Sequence, residues 1–215
     1  MKSLFNLDNP FMQFLSRVAD LILLNVMLIL LSLPVFTAGA ALAALHRVCQ
    51  NMVFETDSGV FRPFLRAFRD NFRQATLVWL AELVVTAALV CDALLVMAYF
   101  GKSTVMYVLL GVLAFLVAGV CAYLIPLIAR YNNTLRQHLN NAMVLAVIKL
   151  PKTLLLTLMN LLPILLAILS LNVFVQTLVF WVIIGFAFMA FLQESLLRNV
   201  YEQLEKGTQS VTLGM

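Results

Sequence analysis

The sequence predicts an all-α, polytopic membrane helix bundle with about five transmembrane helices and amphipathic helices at the membrane interface. Hydrophobic residues make up 63% of the 215 residues and charged residues only 11%, whereas about a quarter of a typical soluble domain is charged. The mean hydropathy is +1.01. Several windows exceed the roughly 18 apolar residues that mark a spanning helix. We therefore expect one transmembrane domain over residues 1–215 and no separate soluble domain.

The N-terminal part of the chain predicts one interfacial segment and one long span. Residues 1–17 mix aromatic and polar side chains, which is typical of a short interfacial helix. The first span is expected at 19–45, and at about 1.5 Å per residue it is longer than the roughly 30 Å hydrocarbon core. We expect it to tilt or to break within SLPVFTAG, where Pro34 lacks a backbone donor and Thr37 can satisfy freed carbonyl groups.

A basic amphipathic helix is predicted at 61–74, and its arginines are Arg62, Arg66, Arg69 and Arg73. On a helical wheel these arginines fall within a sector of roughly 60°, and the phenylalanines with Leu65 fill a separate sector of roughly 100°. An apolar run follows directly. This pattern indicates a helix that lies in the membrane interface before the chain turns into the bilayer.

The rest of the chain supplies four more spans. They are expected at 75–100, 104–129, 153–171 and 174–193, followed by a polar tail at 194–215. A weak internal repeat with an offset of 78 residues pairs an approach helix and two spans with a later set of the same kind. This offset places Glu82 on Asn160, and both units start on the same side of the membrane.

The distribution of basic residues predicts the orientation. Eleven of the fourteen Lys and Arg residues fall on one side of the predicted spans, and Lys2, Arg17 and Lys102 fall on the other. Because basic residues are enriched in cytoplasmic segments, we expect a cytoplasmic C-terminus and an outside N-terminus. The four arginines of 61–74, with Arg130 and Arg136, are expected to contact anionic lipid headgroups or an acidic partner surface.

Glu82 is the most informative single residue for a site within the membrane. It lies about nine residues into the second predicted span and therefore roughly 13 Å deep, where a charge is costly. One interpretation makes it a proton or cation site near the bilayer midplane, facing Asn160 and the break at Pro34 and Thr37. The other makes it a neutral carboxylic acid that is hydrogen-bonded between helices.

Catalysis, cofactors and metals have no positive support in the sequence. It contains no GxSxG, HExxH, GxxxxGK[ST] or GxGxxG motif. The three cysteines are far apart and lack metal-ligand spacing. The basic residues are few and close to the predicted spans, which argues against nucleic acid as a partner.

Four motifs in order, SLPVFTAGAALAALHRV, FLRAFRDNFRQAT, RYNNTLRQHLNNAM and LPKTLLL, resemble the YesL-like family of small bacterial membrane proteins of unknown function. The resemblance implies a location in the bacterial cell membrane and an association with carbohydrate uptake. It implies no known catalytic residues.

Two functions remain open from the sequence. The first is a non-enzymatic accessory or regulatory component linked to carbohydrate import, which binds importer subunits through its basic cytoplasmic face. The alternative is a small transporter or channel whose midplane site is formed by Glu82, Asn160, Pro34 and Thr37.

Overall fold

The computed structural model describes residues 10–56, 59–99, 101 and 103–213, and every regular element in this part of the chain is a helix. The helices are α1 (Pro10–Leu31), α2 (Ala38–Val53), α3 (Phe61–Tyr99), α4 (Thr104–Arg130), α5 (Leu135–Ile148), α6 (Leu150–Leu169), α7 (Leu171–Phe180) and α8 (Phe186–Leu213). A 3-10 turn, Val35–Thr37, precedes α2, and a π-helical turn, Trp181–Gly185, joins α7 to α8.

Five helical segments are long and apolar enough to cross a membrane, which confirms the predicted all-α membrane class. They are Phe11–Leu31, Phe61–Tyr99, Thr104–Arg130, Leu150–Leu169 and Leu171–Lys206. The predicted interfacial segment 1–17 lies outside the described residues up to residue 9, and from Pro10 onward it belongs to α1 without a break.

The single span predicted at 19–45 is two helices. The first ends at Leu31, and the second starts at Ala38, so the break falls within SLPVFTAG. The hydroxyl group of Thr37 donates to the carbonyl oxygens of Leu31 and Pro34. The side chain of Thr37 therefore satisfies the Leu31 carbonyl group, which the end of α1 leaves without a helical partner.

These two helices form a hairpin, so the described start of α1 lies at the same end of the bundle as the end of α2. The N-terminus that the sequence predicts on the outside falls in residues 1–9, which lie outside the described residues. Arg17, near the start of α1, lines one cavity together with Met52 at the end of α2 and Arg198 of α8. Leu21 and Leu24 of α1 pack in one cluster with Val48 of α2. Pro34 lacks the backbone donor that would continue the helical hydrogen bonding, so α1 and α2 do not join into one helix. Arg17 thus lies at the end of the bundle that also holds Arg130 and Arg198, which we call the basic side. Lys2 and Lys102 lie outside the described residues.

The predicted amphipathic helix 61–74 and the second span are one continuous helix, α3, so the expected turn between them is wrong. Its 39 residues extend over roughly 58 Å at 1.5 Å per residue. No Gly or Pro occurs between Phe64 and Tyr99. The only proline within α3 is Pro63, which lies in the first turn of this helix, where proline is tolerated. Nothing in the local sequence therefore interrupts the helix.

The tip of the first hairpin lies midway along α3. The indole nitrogen of Trp79 donates to the carbonyl oxygen of Val35 at 2.9 Å. Gly39 packs so closely on α3 that an added Cβ would lie 2.5 Å from the carbonyl oxygen of Ala75. The second half of α3, from Leu80 to Tyr99, extends beyond the tip and exposes apolar side chains.

Two further hairpins follow, α3 with α4 and α6 with α7 and α8. The end of α4 returns to the basic side, where Arg130 bonds Glu205 of α8. The start of α6 lies at the same side, because Lys149 donates to Gln203. The two hairpins therefore run in the same direction, as expected for a parallel repeat. The offset of 78 is not kept, since it would carry the turn at Gly101 to Val179, inside α7, and not to the turn at Ser170.

Candidate functional site

A chain of buried polar side chains runs through the core where α2, α4 and α8 meet. The Nδ1 atom of His46 lies 2.7 Å from Oε1 of Glu194, and the Tyr201 hydroxyl donates to Oε2 of Glu194 at 3.1 Å. The amide nitrogen of Gln50 donates to the Tyr201 oxygen at 3.4 Å and to the Pro126 carbonyl at 3.0 Å. Glu194 is 0% exposed and Gln50 is 1% exposed. Each group depends on its neighbours, because an unpaired buried polar group is costly.

Helical spacing places these four side chains together. His46 and Gln50 are four residues apart on α2, and Glu194 and Tyr201 are seven apart on α8, so each pair shares one face of its helix. Small residues on α2 let the neighbouring helices approach closely. They are Ala40, Ala41, Ala43 and Ala44, all of them 0% exposed.

Asn25 of α1 holds the start of α8 in place. Its amide nitrogen donates to the carbonyl oxygens of Trp181 at 3.0 Å and Val182 at 2.7 Å, and its Oδ1 accepts from the backbone nitrogen of Ala187 at 3.0 Å. These partners belong to the π-helical turn and the first turn of α8. Such turns are frequent at functional sites. The first hairpin thus hydrogen-bonds to the start of the last helix, two turns before Glu194.

The buried chain opens to the basic side through a cavity of about 290 Å³. The residues around it are Arg47, Gln50, Asn51, Phe54, Thr56, Arg130, Tyr131 and Glu205. The Oε1 atom of Gln50 is buried and has no hydrogen-bond partner among the described residues. Burial raises the pKa of the Tyr131 hydroxyl, although the Arg130 guanidinium opposes this shift. The cavity is therefore lined by an unpaired amide oxygen, a neutral phenol and two guanidinium groups, of which that of Arg130 is already bonded to Glu205.

Arg130 binds other residues of the same chain and is not a free surface cation. Its Nη2 atom lies 2.7 Å from Oε1 of Glu205, and its guanidinium carbon lies 4.1 Å from the ring centre of Phe54 and 4.6 Å from that of Tyr201. The other arginines predicted to contact lipid or a partner are exposed. They are Arg62, Arg66, Arg69 and Arg73 on α3 and Arg136 on α5.

The four residues predicted to form a midplane site fall into two places. Glu82 lies one turn beyond Trp79 on α3, close to the hairpin tip that contains Pro34 and Thr37. Its carboxyl group lies beside the Cys121 thiol of α4, and its Oε1 has no partner among the described residues.

Asn160 lies elsewhere, on α6, and accepts a hydrogen bond from Gln193 of α8 at 2.7 Å. Across the described residues α3 and α6 share no extensive interface, and α4 packs against both. The structure thus places Glu82 near the break and pairs Asn160 with a different helix.

Reasoning from the sequence missed the buried polar chain. Local patterns place Glu194 and Tyr201 in the predicted polar tail at 194–215, and no predicted span or site includes His46. The available signal was their helical spacing within apolar surroundings, HRVCQ on α2 and ESLLRNVY on α8. Such spacing indicates residues that face the interior of a bundle.

A comparison with known families finds a match in the first part of the chain. Residues 21–93 match the family model described as "Protein of unknown function, DUF624". The match begins in α1 and ends in α3, so it includes His46 and Gln50 but neither Glu194 nor Tyr201. It supports an uncharacterised domain family for this part of the chain, and its description does not carry the YesL-like name. No curated protein and no solved structure matches the chain.

Proposed function

We propose that this protein is a non-enzymatic accessory or regulatory component of a membrane complex, and that the complex is a carbohydrate importer of the bacterial cell membrane. The open ends of all three hairpins share the basic side, which the positive-inside rule assigns to the cytoplasm. The C-terminal helix α8 ends on this side as well. The link to carbohydrate import rests on the resemblance of the four sequence motifs.

The observation that carries the proposal is the row of exposed arginines on the first half of α3. Phe64 and Ala67 on the opposite face are buried against the first hairpin, which holds this half of α3 rigid. The arginines Arg62, Arg66, Arg69 and Arg73 all remain exposed. A rigid row of guanidinium groups fits an acidic protein surface, because each can form paired hydrogen bonds with a carboxylate.

Affinity purification from native membranes tests this proposal. The tagged full chain is compared with a variant in which all four arginines are changed to Gln and with a matched control in which they are changed to Lys. Importer subunits that copurify with the wild type, fall sharply in the Gln variant and are retained in part with Lys support the accessory function. The same set of proteins in all three samples would contradict it.

The alternative function, a small transporter or channel, is favoured by the environment of Glu82. This carboxyl group has one oxygen without a partner among the described residues and lies one turn from the broken helix. Buried ionisable groups in membrane helices often mark ion pathways. Proton flux into liposomes containing the purified protein, driven by a potassium diffusion potential, tests this function. Flux that Glu82→Gln abolishes, with an unchanged melting temperature, supports it, and no flux above that of empty liposomes counts against it.

A further inference from the structure

A second cavity, of about 380 Å³, lies at the basic end of the first hairpin, between α1, the end of α2 and α8. The residues that define its chemistry are Arg17, Met52, Glu55, Phe191, Ser195 and Arg198. None of them belongs to the row of arginines on α3 or to the buried polar chain. We infer that this cavity binds the headgroup of a single phospholipid, with the phosphate on Arg17 and Arg198 and an ammonium group on Glu55.

The two arginines supply the phosphate site. The Nη1 atom of Arg17 is buried and has no hydrogen-bond partner among the described residues. Arg198, which lines the cavity, binds Glu202 through its Nε atom at 3.1 Å, so this contact does not use its Nη groups. A buried guanidinium nitrogen without an acceptor is unfavourable. A phosphate between the two side chains removes this cost and accepts from both.

Glu55 gives the cavity a negative group beside the positive ones. It follows the last turn of α2 with a φ of 55°, in the left-handed region. The backbone nitrogen of Thr56 donates to the carbonyl oxygen of Asn51 at 3.0 Å, which completes the usual helix ending at this position. Glycine adopts a positive φ at the lowest cost, so the backbone geometry alone would favour glycine at position 55. The carboxylate is therefore a feature of the cavity that helix termination does not require, and it suits an ammonium group adjacent to a phosphate.

The surroundings favour a lipid over a free phosphate ion. Met52 and Phe191 form an apolar wall. Phe14 lies one turn before Arg17 on the same face of α1 and is 65% exposed. An amphiphile can therefore place its polar group in the cavity and its acyl chains along the apolar surface of α1, whereas an inorganic ion gains nothing from these side chains.

Native mass spectrometry of the purified full chain tests this inference. Dioleoyl phosphatidylethanolamine is added, and its retention is compared with that of phosphatidylcholine, whose amine cannot donate, and of diacylglycerol, which lacks phosphate. We expect one tightly retained phosphatidylethanolamine, weaker phosphatidylcholine and no retained diacylglycerol. Glu55→Gln should abolish the preference between the two phospholipids. Equal retention of all three lipids would overturn the inference.

Two variants separate the cavity from general electrostatic attraction. Changing Arg17 and Arg198 together to Gln should weaken retention by about tenfold or more, since charge-assisted hydrogen bonds are lost. The matched control is Arg62→Gln with Arg66→Gln, which removes the same charge from α3 and should leave retention unchanged. An equal loss in the control would overturn the inference.

A further variant guards against misfolding of the double arginine change. Ser195 lies on an exposed part of α8, so Ser195→Trp fills the cavity without altering charge or core. It should block retention while the melting temperature stays the same, and undiminished retention would overturn the inference. Inorganic phosphate at millimolar concentration distinguishes the source of the ligand. Full displacement of the lipid by phosphate would show that the site serves the free ion and would reject the lipid.

Discussion

The Nδ1 atom of His46 lies 2.7 Å from Oε1 of Glu194, and this contact joins the first hairpin to the last helix across 148 residues of sequence. Both side chains are buried. The Tyr201 hydroxyl donates a hydrogen bond to the second carboxylate oxygen of Glu194. The three groups connect helices that are distant along the chain, so the tertiary arrangement of α2 and α8 depends on their pairing.

Removal of both members of this pair should destabilise the protein by less than the sum of the two single removals. We expect Glu194→Leu to lower the free energy of unfolding by about 1–3 kcal/mol, because it leaves the buried His46 imidazole without its hydrogen-bond partner. The double change His46→Leu with Glu194→Leu should cost less than the sum of the single changes. Unfolding in mixed detergent micelles, followed by tryptophan fluorescence, measures the three values. Additive effects would show that the two residues do not interact.

Gly39 sets the distance between the hairpin tip and α3. Gly39→Ala should lower the free energy of unfolding by about 1–3 kcal/mol, because the new Cβ would overlap Trp79 and the Ala75 carbonyl. The matched control is Gly111→Ala on α4, where an added Cβ meets nothing within 4 Å. The control should be neutral or stabilising, since alanine is the better helix former. Equal loss of stability in the two variants would argue against the close approach.

The first hairpin predicts that both of its ends label from one side of the membrane. Single cysteines are introduced at Gln13, Thr56, Gln203 and Thr104 in a chain whose native cysteines are changed to Ala. A membrane-impermeant maleimide should reach the first three from the same side and Thr104 from the other. If Gln13→Cys labels with Thr104→Cys, the chain crosses the membrane once between α1 and α2, and the hairpin is wrong.

His138 predicts a loss of stability in acid. It is 0% exposed, and burial lowers its pKa from the usual 6.5. Because the unfolded chain takes up the proton first, stability is full above about pH 6.5 and falls as the pH drops toward the lower pKa of the folded state, by up to roughly 1.4 kcal/mol per pH unit.

His138→Leu should remove this part of the acid sensitivity. Melting temperatures of the two proteins at pH 7.5 and pH 5.5 give the comparison, and the wild type should lose more on acidification. A loss of the same size in both proteins would assign the acid sensitivity to other groups.

Much of the fold could be predicted from local patterns. Apolar runs that are long enough to cross a bilayer predict helices. Within the hydrocarbon core, a helix satisfies all its backbone hydrogen-bonding groups within the same segment. The break near Pro34 follows from one missing backbone donor. The arginine row on α3 follows from helical spacing, and all four side chains are exposed as that spacing suggests.

The candidate site was beyond such reasoning. His46 and Glu194 look like residues at helix ends when each is read within its own segment, and only the packing of α2 on α8 makes them partners. Arg130 looks like another surface cation, yet Glu205, Phe54 and Tyr201 enclose it.

The sequence by itself determined the helices, their apolar character and the position of the break, because these depend on residues that are close along the chain. Only the tertiary structure decided the direction of α2 after the break, the continuity of contacts along α3 and the pairing of buried polar groups. A proline ends a helix, but it does not specify where the next helix goes. That direction depends on contacts such as Gly39 with Ala75 and Trp79 with Val35, which join segments far apart in sequence.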